Sequence, residues 1–136
     1  MASRDLVNNV KIVQAIVPGT YLTGTNPTSI TVDTQGFESA TLLVVAGEVT
    51  DAQTLTVKES ANDDSYTDVA DDDVIGGVGV LAAFKAIADD DGDEIKALGY
   101  IGGKRYLQVG STGSGVAGAT YGVIAILGNP QYAPVS

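Results

Sequence analysis

Apolar residues in this chain come in short runs broken by glycine, proline, asparagine and aspartate. Residues 39–46, SATLLVVA, form a near-continuous apolar run between Gly36 and Gly47. A run of that length predicts a central strand buried on both faces. Residues 53–60, QTLTVKES, alternate cleanly, with Leu55 and Val57 inward and Thr54, Thr56 and Lys58 outward. That is the pattern of a strand with one wet face. ANDDS then turns the chain into a partner strand at Tyr66–Val69. Ser29–Asp33 alternates more briefly, with Ile30 and Val32 on one side. Lys104–Val109, KRYLQV, and Ala119–Leu127, ATYGVIAIL, read as neighbouring strands around the glycine-rich turn STGSGVAG.

Two segments are ambiguous. In residues 5–17, DLVNNVKIVQAIV, Leu6, Val10 and Val13 would suit a helix face, but the β-branched content and the Pro18-Gly19 stop favour an extended arm (1–10) followed by a strand. Ala82–Ala88, AAFKAIA, could make a turn and a half of helix. The Asp-Gly turn in DDDGD (89–93) favours a strand instead, with Glu94–Tyr100 returning as its partner. Residues 20–28 read as a loop, and the tail 128–136, GNPQYAPVS, with two prolines, as an extended segment. About eight short strands with turn signals roughly every ten residues predict an all-β fold. We expect a single domain over residues 1–136, an antiparallel β-sandwich or jelly-roll-like barrel, with no internal repeat or linker.

Composition narrows the chemistry. The 136 residues include no cysteine and no histidine. Disulfides and thiolate nucleophiles are thereby excluded, along with histidine-dependent triads within one chain. Seven basic residues stand against seventeen acidic ones, a net charge of −10. Nucleic-acid binders carry the opposite balance, so neither nucleic acid nor an anionic membrane is an expected partner. Asn8, Asn9, Lys11 and Gln14 interrupt the first apolar stretch, which does not fit an export signal. No stretch reaches the ~18 apolar residues of a membrane helix. Synthesis in a cytoplasm and a soluble product are expected.

Eleven of the seventeen acids fall in two clusters, Asp63–Asp73 and Asp89–Glu94. Oxygen-rich loops attract calcium, but the EF-hand spacing fails here. Counted from Asp89, the required glycine is Glu94 and the closing glutamate is Tyr100. The clusters read as solvated turns, and no metal or cofactor is expected. Glycosidase-type paired carboxylates want an apolar pocket and aromatic platforms, and aromatics make up only 6% of the chain. Gly99–Lys104, GYIGGK, lacks the spacing of a phosphate-binding loop. Lys104 and Arg105 stand beside Tyr106 in an otherwise acidic chain. They read either as rim charges paired with an acid or as a contact for an acidic partner surface.

Five blocks resemble a family of small tailed-bacteriophage proteins encoded beside the major capsid protein. These are DLVNNVKIVQAIVP, DTQGFESATLLVVAGEVTD, VKESANDDSYTDV, GYIGGKRYLQV and YGVIAILGNPQYAPV. The resemblance covers most of the chain and is loosest over 70–98. It implies a head decoration, or cement, protein: β-rich, on the outer capsid surface of the virion, often trimeric, and bridging major capsid protein subunits. Where family members carry GHPHLAPV, this chain has GNPQYAPV, so a metal or proton role for that tail is not expected. The implied function is structural, not enzymatic. Asp5, Asn8, Asn9 and Lys11 of the arm, with Lys104, Arg105 and Tyr106, are the expected contacts to capsid or sister subunits. A tail or baseplate module, or a carbohydrate-binding sandwich, is the alternative.

Overall fold

The computed structural model describes residues 7, 9–21, 29–50, 52–76, 79–87, 94–113 and 118–130. The fold is all-β and sandwich-like, as the strand count and turn spacing predict. One sheet has the order β1 (Lys11–Tyr21), β9 (Ala119–Pro130), β3 (Phe37–Val49), β7 (Ile95–Tyr100). The other has the order β2 (Val32–Asp33), β8 (Tyr106–Gly113), β4 (Gln53–Ser60), β5 (Thr67–Asp68), with β6 (Ala86–Ile87) also on β4. Every pairing between these strands is antiparallel.

The core forms because each long strand presents alternate residues to the same interior. Leu42 and Val44 of β3, Val123 and Leu127 of β9, and Leu98 of β7 are buried from one sheet. Leu55, Val57, Leu107 and Val109 are buried from the other. Two buried tyrosines tie the layers together. Tyr100 of β7 donates to Glu59 Oε2 of β4 at 2.5 Å. Tyr121 of β9 and Ser111 of β8 are hydrogen-bonded at 2.6 Å. Each bond gives a buried polar atom the partner it needs.

Several expectations are corrected. Residues 80–85 form a short helix, α1 (Val80–Lys85), followed by β6. Leu81 and Phe84, both buried, are three residues apart. That spacing shares a face on a helix and falls on opposite faces of a strand. β7 pairs with β3 and not with the 82–88 segment, so the expected hairpin crosses between sheets. β8 and β9 likewise lie in different sheets. β1 runs through Pro18-Gly19 to Tyr21, accommodating the proline at register shifts on a sheet edge, where a missing N–H is tolerated. β8 begins at Tyr106, which leaves Lys104 and Arg105 in the preceding turn. Gly128–Pro130 belong to β9, with Pro130 opposite Phe37, so the tail starts later than its prolines suggest.

Candidate protein-interaction surface

β3 is an inner strand, but among the described residues only one of its faces is covered. Ala40, Leu42, Val44 and Ala46 are buried, whereas Thr41 and Leu43 are half-buried and Val45 is 45% exposed. Cross-strand partners share a face, so the register maps the outer surface directly. One row reads Ile12, Ile126, Thr41, Gly99; the next reads Gln14, Ile124, Leu43, Ala97; the third reads Gly122, Val45, Ile95. No charged residue occupies any of these positions. Ile12 and Ile95 are 63% and 65% exposed.

The two glycines in this grid are filled from outside it. A Cβ on Gly99 would come within 2.7 Å of Ile75 Cδ1, and one on Gly122 within 2.8 Å of Pro18 Cγ. Ile75 and Pro18 therefore lie over the sheet and extend its apolar surface. Beside Gly122 is a pit of about 340 Å³ lined by Pro18, Val45, Thr120 and Ile124 among others. The second sheet is different. Its outward positions on β4 and β8 are Thr54, Thr56, Lys58, Tyr106 and Gln108, an ordinary wet face.

Of the residues singled out from sequence, Asp5 and Asn8 lie outside the described residues. Asn9 is in the turn before β1, and Lys11 is exposed at the start of that strand. Arg105 makes a two-pronged ion pair with Asp33 of β2, Nε to Oδ1 and Nη2 to Oδ2, each 2.8 Å. Its guanidinium also stacks 4.8 Å from the Tyr106 ring centre. The rim-charge reading of Arg105 thus has a concrete partner, 72 residues away in sequence. Lys104 is exposed beside a hollow of about 160 Å³ that also touches Thr34, Phe37 and Tyr100. Its backbone N–H donates to the Tyr100 hydroxyl at 3.2 Å. The structure brings Lys104, Arg105 and Tyr106 together at one end of the sandwich.

The Arg105 hydrogen bond, above all, holds the Asp33 carboxyl below its ordinary value, and the N–H of Gln35 assists. A carboxylate with a lowered pKa stabilises the fold above its unfolded value of 3.8, and the gain is lost as pH falls through the folded value. Both partners are largely exposed, so solvent screens the pair. Asp33→Asn is expected to cost no more than about 1 kcal/mol at neutral pH, and less at pH ~2. Urea unfolding of the two proteins at both pH values checks this, and a large loss would mark Asp33 as part of something tighter.

Among the described residues, the acidic clusters offer no assembled site. Asp63 accepts hydrogen bonds from Tyr66 and Thr31, which fix its turn. Among the described residues, no three carboxylates converge where they could hold a metal ion. The segment 89–93 lies outside the described residues. No described helix is long and apolar enough to cross a membrane.

Neither a protein-family model nor a curated protein matches the chain. Its fold is shared with the SPBc2 prophage-derived protein YomS: the TM-score is 0.51 at 12% identity, covering 88% of this chain and 92% of that one. At that identity the likeness is one of fold alone. The capsular polysaccharide assembling protein CapF from Staphylococcus aureus overlaps at a TM-score of 0.29 and 12% identity, covering 92% of this chain and 24% of that one. An overlap that low carries no argument. The apolar outer face was missed from sequence, although the signal was there: ATLLVVA and YGVIAIL are apolar at both parities.

Proposed function

We propose that this chain is a structural protein of a tailed-bacteriophage particle, decorating the outer capsid surface and stabilising it by bridging major capsid protein subunits. The observation that carries the reading is the uncharged aliphatic face of one sheet in a chain of net charge −10. Such a face is built for protein contact. The five sequence blocks support a virion role, and so does a fold shared with a prophage-derived protein. The acidic remainder suits a surface turned to solvent and away from packaged nucleic acid. The arm residues Asp5, Asn8, Asn9 and Lys11, and the Lys104–Tyr106 end, contribute contacts to capsid or sister copies.

Quantitative mass spectrometry of purified virions tests this. A copy number comparable to that of the major capsid protein is expected. A handful of copies would move the protein to the tail, and absence from the particle would refute a virion role.

A further inference from the structure

We infer that the outer face of the β1-β9-β3-β7 sheet is covered by the same face of a second copy, in a twofold dimer with two sheets packed face to face. The inference concerns the isolated chain and does not rest on the virion reading; on a capsid, a bridged subunit would take the place of the second copy on this face.

The first argument is internal to the molecule. β4 alternates apolar and polar residues because water covers its outer side. β3 and β9 do not: Leu43, Val45, Ile124 and Ile126 point outward from strands whose inward residues already fill the core. An antiparallel sheet with one wet face normally alternates apolar and polar residues, so this lack of alternation marks an outer face not left to water. Among the described residues, the chain covers only one side of this sheet, apart from Pro18 and Ile75.

The second argument is area. The grid spans four strands about 4.8 Å apart and roughly six residues of about 3.4 Å, which is roughly 400 Å². Extending the strands by one residue at each end brings it to roughly 500 Å², so two copies would bury roughly 1,000 Å² in total, about the least a specific interface needs. The outward positions at those ends are Ser39 and Gly128 at one and Gly47 and Thr120 at the other, small and in part polar. An apolar centre inside a more polar rim is the anatomy of a specific interface.

The third argument is charge. A partner for this face must itself be uncharged at the centre, because any charge buried there would lack a counter-ion. An identical face meets that condition. The acids that give the chain its negative charge lie off the grid, so they repel only across a distance that salt screens. Dimerisation is therefore expected to strengthen as salt rises, the reverse of an ion-paired contact.

Sedimentation equilibrium on the full chain decides the matter. At about 100 μM, above the roughly micromolar Kd of a modest interface of this size, we expect twice the 13.8 kDa chain mass. Val45→Lys should raise the dimer Kd by at least about a hundredfold, because two lysines would then be desolvated at the centre. Ile95→Lys, at a more exposed position, should weaken it as well and guards against misfolding of the first variant. Thr56→Lys, on the wet face of the other sheet, should leave the Kd unchanged. Circular dichroism confirms that each variant is folded. A monomer at that concentration, a trimeric mass, or a dimer indifferent to both Val45→Lys and Ile95→Lys would overturn the proposal.

Discussion

Leu42→Ala is expected to lower the unfolding free energy by about 3 kcal/mol, whereas Leu43→Ala, one residue on, should cost less than about 1 kcal/mol in the monomer. The two leucines lie on one strand between the same two partner strands, and differ in the face they occupy. Leu42 is fully buried, opposite Ala125 on β9 and Leu98 on β7, both also buried. Alanine there leaves a cavity in a layer held rigidly by backbone pairing on both sides, so little collapse can refill it. Leu43 stands between Ile124 and Ala97 on the outer face, and its truncation is met by water. Urea unfolding at low protein concentration measures both. As concentration rises into the dimer range, the cost of Leu43→Ala should grow and that of Leu42→Ala should not, because only Leu43 gains burial by association. Equal costs at low concentration would mean that the two sides of β3 are not distinguished as the register states.

Sequence patterning reached the elements whose period is set by water. β4 could be read residue by residue, including its hairpin to β5, because each outward position is polar. The same logic misled at 82–88, where alanines carry no period and the spacing of Leu81 and Phe84 was the only helical signal. β3 was legible as an inner strand, but a run apolar on both faces says only that both faces get covered, not by what. Beyond the β4–β5 hairpin, strand neighbours were not legible. β8 and β9 are consecutive yet lie in opposite layers, a choice made by how the inner faces fit. Contacts between residues far apart in sequence, such as Arg105 with Asp33 and Tyr100 with Glu59, had no local signature at all. Of the expected contact residues, only those flanking β1 and β8 can be placed. They sit at ends of the sandwich, while the sheet face that carries the functional argument was read from sequence as core.

Tyr100→Phe is expected to destabilise the fold by about 2 kcal/mol at neutral pH, and to weaken its sensitivity to alkali. The hydroxyl joins the two sheets by donating to Glu59, whose side chain is 8% exposed, and it also accepts the N–H of Lys104. Phenylalanine fills the same space but leaves a buried carboxylate without its donor, and that desolvation is no longer offset. Glu59→Gln should therefore recover part of the loss in the Tyr100→Phe background, while being harmful or neutral alone. The pH dependence has the opposite sense to that of Asp33. Burial first, then the hydrogen bond to Glu59, pushes the Tyr100 hydroxyl well above its ordinary value of 10.0. The folded protein keeps this proton when the unfolded chain has begun to lose it. The unfolded state then binds fewer protons, so stability is intact below pH 10 and falls as pH rises beyond it. Burial raises Tyr121 in the same direction, so some alkaline loss should survive in the variant. Urea midpoints from about pH 8 to about pH 11 should fall less steeply for Tyr100→Phe than for the parent chain. Parallel curves would mean that Tyr100 titrates no differently in the folded and unfolded chains, and coincident ones that the bond between the sheets at Glu59 contributes nothing to holding them together.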